Sequence, residues 1–392
     1  MFAGLSHAPE DPILGMSTLF ASDRDKGKID LGIGVYKDED GSVAVLPSVK
    51  SAERWLLETQ QTKTYLSSGG NSGFTRTIQS LILGGQRMAE RSRTIQTPGG
   101  SGALRLAADF LRRLRPNARV FLPDPTWANH VPIFSDAGVP VVRFPYYDEQ
   151  HAKIRFDAMM DALREMRRGD LLLLHGCCHN PTGADLDSAQ WGAIRDLLAR
   201  SGATPFIDLA YLGFAEGLEE DAAPVRALAH GLPELLIASS CSKNFGLYRE
   251  RVGALTIVAT NGPDADNTLG HLLCIARSNW SMPPDHGASI VAHILSTKGL
   301  DLQWQAELAT MRRRVNHMRS TLSDHLTDMG YPRFAFIARQ RGMFAMLGFS
   351  REQVERLRSE SHIHITGSGR FNVAGLTDAN VERVAAAIAI AF

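Results

Sequence analysis

Two spacings of apolar residues alternate along the chain, and each change of spacing marks a new element. The run Ile29-Asp-Leu-Gly-Ile-Gly-Val-Tyr36 alternates with a period of two and predicts a strand. Gly32 and Gly34 within it let another group approach the backbone closely. Residues 13–20 predict a short helix, and 48–61 carry apolar positions at helical spacing. A glycine-rich loop, 67–73, follows Tyr65. From Thr97 the chain reads as repeated strand and helix. A Gly-rich turn leads into an amphipathic helix from about Ser101, and strands are expected at 119–122 and 139–144. The continuous apolar run Asp170-Leu-Leu-Leu-Leu-His175 predicts a buried strand, and helix 187–200 leads to a strand at 204–207. Two more apolar runs, 234–238 and 252–258, flank a polar loop. Strands alternating with helices predict a mostly parallel sheet. Beyond Val258 the pattern turns helical, with a long charge-rich stretch at 302–329 suited to linking two domains. Residues 333–392 mix short strands (341–347, 362–366, 371–373) with helices, as in a small α+β domain. Residues 1–12, interrupted by Pro9 and Pro12, read as an extended arm.

Composition narrows the function classes. A chain of 392 residues exceeds one ordinary core, so two domains are expected. Its 42 basic and 42 acidic residues cancel, which argues against a polyanion binder; no nucleic-acid partner is expected. Cys177, Cys178, Cys241 and Cys274 lack paired metal-ligand spacing, and adjacent Cys177 and Cys178 suit a disulfide poorly. No metal site is expected, and a reducing, cytoplasmic setting fits. The first residues lack a basic-then-apolar leader pattern, and no apolar run is long enough to span a bilayer, so no membrane partner is expected.

The densest candidate chemistry is ASSCSKNFGLYRER, residues 238–251. Lys243 lies in a loop between two apolar runs, where desolvation favours the neutral, nucleophilic amine. Ser240, Ser242 and Arg251 around it suit a phosphate. Alone, the stretch reads equally well as a solvated loop with a surface lysine. Gly99-Gly100-Ser101 at a helix start is either an anion site or a plain cap. Asp208 at a strand end, three residues before Tyr211, is either a ligand pair or a turn cap. Trp127 reads as a packing residue in its loop. Strand 170–175 runs into the turn Asn180-Pro-Thr-Gly, and loops at the carboxyl ends of such strands build sites in α/β sheets.

These motifs, with Ser368-Gly-Arg370, LGIGVYKDEDG, HGCCHNPTG, SKNFGLY and ERVGA, occur in one order over nearly the whole chain. Together they resemble the class I pyridoxal-phosphate-dependent aminotransferases, in the aspartate and aromatic-amino-acid subgroup. The resemblance implies the fold type I architecture: an α/β large domain, 46–310, with a mostly parallel seven-stranded sheet between helices. A small α+β domain, 13–45 and 311–392, and the arm 1–12 would complete it. It implies pyridoxal 5'-phosphate held as a Schiff base on Lys243, which then shuttles the proton. Asp208 would pair with the pyridinium nitrogen. Tyr211 and Asn180 would reach the ring oxygen, and Trp127 would stack near the ring. Gly100, Ser101, Ser240, Ser242 and Arg251 would hold the phosphate, joined by Tyr65 from a neighbouring subunit. Gly34, Trp127 and Asn180 would border the substrate. Arg370 would grip its α-carboxylate, and Arg277 would cross the dimer interface to a distal carboxylate. His130 and His175 would stand behind Asp208. A homodimer with shared sites follows, moving amino groups from aromatic and dicarboxylic amino acids to 2-oxoglutarate by a ping-pong route. The alternative is a narrow aspartate aminotransferase.

The chain departs from the aspartate enzymes where substrate choice is made. Ser101 and Val43 stand where threonine is usual, and Thr64 and Met282 where asparagine is usual. Several of these changes remove polar groups near the substrate end. Val35 and Lys37 remain aspartate-like. Trp280, Cys241 and the run His362-Ile-His-Ile also depart from the family pattern.

Overall fold

A computed structural model describes Phe2, Gly4, Leu5 and residues 12–392. Most of the expected arm, 1–12, lies outside the described residues. The chain forms two compact units. One comprises the described part of 1–42 with Pro181–Gly183 and Arg314–Phe392; the other comprises Val43–Asn180 and Ala184–Arg313.

The larger unit is built on a seven-stranded sheet. Its order is Ser92–Pro98, Val252–Val258, Leu235–Ser240, Thr204–Leu209, Leu171–His175, Val120–Asp124 and Val141–Pro145. Leu171–His175 is buried throughout, as its unbroken apolar run requires of a strand covered on both faces. The first helix after the glycine turn, Gly99–Leu114, buries Ala103, Leu104, Ala107, Ala108 and Leu111. Those positions share one helical face, and Arg112 and Arg113 close its last turn. Ser188–Ser201 starts at a capping box of Asp187 and Gln190 and stops at left-handed Gly202. One strand breaks the parallel pattern: Val252–Val258 pairs antiparallel with both neighbours. The link 241–251 has no helix to carry the chain back across the sheet, so the next strand returns in the opposite direction.

Several boundaries differ from expectation. The strand expected at 234–238 continues through Ser239 and Ser240, because Val252–Val258 supplies ladder partners there. The helix expected from Ser101 begins at Gly99.

In the smaller unit the predicted strand 29–36 is confined to Ile29–Asp30, which pairs in parallel with Ile363–His364. Beyond it, side chains take the backbone acceptors that a ladder would use. Asn372 Nδ2 donates to the carbonyls of Ile33 and Val35 at 2.8 and 2.7 Å, and Arg370 donates to that of Gly32. The carboxy-terminal strands shrink to Phe344–Met346, Ile363–His364 and Arg370–Asn372. His362 and His364 both reach the Asp23 carboxylate, at 3.0 and 2.8 Å. This pins the turn after helix Pro12–Ser22 to the strand Ile363–His364.

Candidate active site

In the larger unit the predicted residues collect where the parallel strands end. His175 and Asp208 sit side by side in register on neighbouring strands, and Leu209 sits beside Ser239 on the next. Asp208 is 6 % exposed. His130 Nε2 lies 3.0 Å from its Oδ2, and Thr126 Oγ1 lies 2.7 Å from His130 Nδ1. A carboxylate only accepts, so Nε2–H donates to Asp208. Burial pushes the Asp208 carboxyl up, but the His130 hydrogen bond and the charges of His130 and Lys243 outweigh it. The group is held below its ordinary value and stays ionised. His130, His175 and Asp208 offer ligand atoms within 4.8 Å of one another. A metal ion among them would have to displace the His130–Asp208 hydrogen bond.

Lys243 Nζ lies 4.8 Å from the centre of the buried Tyr211 ring. The loop beside it is braced. Trp304 Nε1 donates to the Asn244 carbonyl at 2.8 Å, and Phe245 stacks on Trp304. Ser240 Oγ donates to Ser242 Oγ and accepts from the Ser242 N–H, at 3.1 and 3.2 Å.

The glycine turn meets this loop from the other side. Gly99 has φ +72°, and a Cβ on it would stand 2.5 Å from Arg251 Nη2. A Cβ on Gly100 would stand 3.3 Å from Ser240 Cβ, and one on Gly253 would fall 2.3 Å from the Gly99 carbonyl carbon. A side chain at Gly253 would force the two backbones apart, and one at Gly99 would displace the Arg251 guanidinium and strain a left-handed backbone. Gly99 and Gly100 open a helix of 16 residues, so backbone N–H groups, two serine hydroxyls and a guanidinium converge on one place. Ser101, the third residue of that helix, is half-buried.

Trp127 is half-buried with its ring edge-on to His130, and Asn180 is buried. Behind Asp208 the rings of His130, His175, His179 and Tyr146 pack in series. His175 packs between the rings of His130 and His179, and neither of its ring nitrogens has a hydrogen-bond partner among the described residues. Tyr65 is 88 % exposed. Arg277 is exposed at the end of helix Gly262–Asn279, where it donates to Ser281 Oγ and pairs with no carboxylate among the described residues. In the smaller unit, Gly34 and Arg370 bracket one ring. The Arg370 guanidinium lies 4.4 Å from the Phe344 ring centre, and a Cβ on Gly34 would stand 2.7 Å from that ring.

Sequence reasoning missed Thr126 and Gly253. A threonine four residues before a histidine in a Pro-Thr-Trp loop was the signal for the first. A glycine inside an otherwise apolar strand was the signal for the second.

The buried histidines make stability depend on pH. Burial and then the charge of His130 lower the His175 pKa from 6.5 to about 3. The unfolded chain thus takes a proton that the folded chain refuses, so this contribution is complete above pH 6.5 and is lost as pH falls toward 3. Each such group costs roughly 1.4 kcal/mol per pH unit in that window. The thermal midpoint of the wild type should fall between pH 6.5 and 5. His175→Phe should show a shallower fall; an identical pH dependence would rule out this source.

Comparison with known proteins bears on the whole chain. The family model described as "Aminotransferase class I and II" matches residues 26–388. The aspartate aminotransferase of Escherichia coli (strain K12) is 48% identical over 392 residues, covering 99% of each chain. The aromatic-amino-acid aminotransferase of Paracoccus denitrificans is 44% identical, also with 99% of each chain covered. Among solved structures, the aromatic-amino-acid aminotransferase from Burkholderia pseudomallei, covalently bound to pyridoxal phosphate, superposes with a TM-score of 0.97 at 42% identity. That match covers 100% of this chain and 99% of the other. A parallel-dominated seven-stranded sheet, a lysine beside a buried ionised aspartate, and likeness across the full length converge: the chain belongs to the class I and II aminotransferases.

Proposed function

We propose that this aminotransferase uses pyridoxal 5'-phosphate to move the amino group of aromatic and dicarboxylic L-amino acids to 2-oxoglutarate. The observation that carries this reading is the Lys243–Tyr211–Asp208 group beside the Gly99–Gly100 cradle. The donor set fits the cofactor. Arg251, Ser240, Ser242, Ser101 and the Gly100 N–H would hold its phosphate, Asp208 its ring nitrogen, Tyr211 and Asn180 its ring oxygen, and Trp127 its ring face. Bound there, the cofactor supplies an electron sink for the charge left when the substrate α-proton departs. Lys243 Nζ takes that proton from the substrate α-carbon as a general base and carries it onward. His130 keeps Asp208 ionised, and Tyr211 offers a phenolic proton. Arg370 binds the α-carboxylate through a planar fork that lysine would not reproduce.

Arg277 and Tyr65 serve the site of a second copy, so the enzyme works as a homodimer with shared sites. Their exposure in the single chain supports this. Mixing Arg277→Ala with Lys243→Ala protomers should restore activity, because one site of the heterodimer then carries both defects and the other neither. Absence of recovery after confirmed subunit exchange would count against shared sites.

A cytoplasmic setting fits four free cysteines, and no helix among the described residues is long and apolar enough to cross a membrane. A panel of amino donors against 2-oxoglutarate tests the function. Phenylalanine, tyrosine or tryptophan should be used with efficiency comparable to aspartate. Turnover of aspartate with no measurable aromatic donor would establish the narrow reading instead.

A further inference from the structure

The end of the large-unit sheet opposite Lys243 holds a pocket that the reaction does not use. It lies where strands Leu171–His175, Thr204–Leu209 and Leu235–Ser240 begin, and Leu171, Thr204 and Leu235 line it. Strands of five or six residues separate it from the candidate active site by roughly 20 Å. Its volume is about 550 Å³, within the size range of small-molecule sites.

The walls and the rim differ in chemistry. Phe110, Leu111, Leu236 and Ile257 make the walls apolar. Arg115, Arg168 and Arg200 stand on the rim against one carboxylate, Glu234, which accepts from Thr204 Oγ1 at 3.5 Å. None of the three guanidiniums has a hydrogen bond or ion pair among the described residues, whereas nearby Arg119 is held by Asp170 at 2.7 Å. Arg200, in the last turn of its helix, and Arg115, the C-cap of helix Gly99–Leu114, are each favoured by a helix dipole. Arg168 is not, because it lies in a turn outside any helix.

Two glycines seat the other arginine stems. A Cβ on Gly169 (φ +94°) would stand 2.9 Å from Arg115 Cδ, and one on Gly202 (φ +68°) would stand 3.3 Å from Arg168 Cγ. The exposed side chains thus lay their stems against bare backbone at both places. Guanidiniums without a partner among the described residues, over an apolar recess, select an anion with an apolar body.

We infer that this pocket is a second ligand site, distinct from the catalytic one, for a small organic anion: a carboxylate, sulfonate or phosphate head on an aromatic or branched body. The probe is 8-anilinonaphthalene-1-sulfonate, titrated by fluorescence into holoenzyme saturated with 2-oxoglutarate. Wild type should show one saturable site per chain. Arg115→Glu/Arg168→Glu should weaken it by about 100-fold, with turnover unchanged, since each of the two lost charged contacts is worth about 10-fold. If the double variant lowers the melting temperature, Arg115→Gln/Arg168→Gln carries the same test. Phenyl phosphate should compete, and inorganic phosphate at the same concentration should not. Non-saturable binding, unchanged affinity in a stably folded variant, or equal competition by inorganic phosphate would each overturn the assignment.

Discussion

Replacing Lys243 with alanine is expected to lower turnover by more than about 10⁴-fold while leaving the fold intact. The size of the effect follows from the surroundings. Lys243 is the amine set against the Tyr211 ring, and its charge is among those that hold Asp208 ionised. A methyl group there neither bonds the cofactor nor accepts a proton. The neighbouring bracing, Trp304 to the Asn244 carbonyl and Phe245 on Trp304, uses no atom of Lys243, so the loop should persist. The check pairs steady-state kinetics with borohydride reduction and peptide mapping. Wild type should carry the reduced cofactor on Lys243, and the variant should bind cofactor without covalent attachment. Attachment at another lysine with retained turnover would end the assignment.

Arg277→Leu should divide the two substrate classes. Aspartate, glutamate and 2-oxoglutarate should lose efficiency by about 10²- to 10⁴-fold, the factor for stranding a charge that loses its partner in a desolvated contact, about 3–5 kcal/mol. Aromatic donors should change far less, because they have no distal carboxylate to pair. In the single chain, Arg277 is exposed and tethered only by the Ser281 hydroxyl among the described residues, which leaves it free to swing aside for a ring. Two substitutions favour such movement. Val43 is 49% exposed, and Met282 presents a thioether where the aspartate enzymes usually have an amide. Its sulfur accepts the Leu66 N–H at 3.3 Å, beside Tyr65, so the residue is spent on holding that segment rather than on a polar network. Apolar surface of this kind also contributes to binding a ring, at roughly 25 cal/mol per Å² buried. Steady-state kinetics for both substrate classes, in wild type and variant, decide the matter. Parallel losses for aspartate and phenylalanine would mean that Arg277 acts on something common to both.

The site was legible to different depths. The order Gly99-Gly100, Asn180-Pro-Thr-Gly, Asp208, Tyr211, Lys243, Arg251 was readable because most of these residues sit in turns that follow or precede patterned apolar runs, whereas the largely polar strand Ser92–Pro98 before Gly99 was not foreseen. The support behind Asp208 was less so. Both His130 and His175 were expected behind the carboxylate, and His175 packs its ring against that of His130. The hydrogen bond comes from His130, which lies 78 residues away in sequence. Nothing in local pattern distinguishes those two histidines, since their difference is set by which strand lies beside which.

Element types and most helix extents were determined by the sequence itself, because apolar spacing, capping residues and glycine turns act within a few residues of one another. The capping box at Asp187 and the glycine stop at Gly202 are of this kind. Tertiary structure alone decided the pairing of Val252–Val258 with Ser92–Pro98 and the failure of 31–36 to join a sheet. It also decided the grouping of Pro181–Gly183 with the terminal segments and the fit of Gly253 against Gly99. Each depends on a partner tens to hundreds of residues away. Backbone hydrogen-bonding groups are alike at every residue, so a local stretch cannot specify which distant strand or side chain will satisfy them.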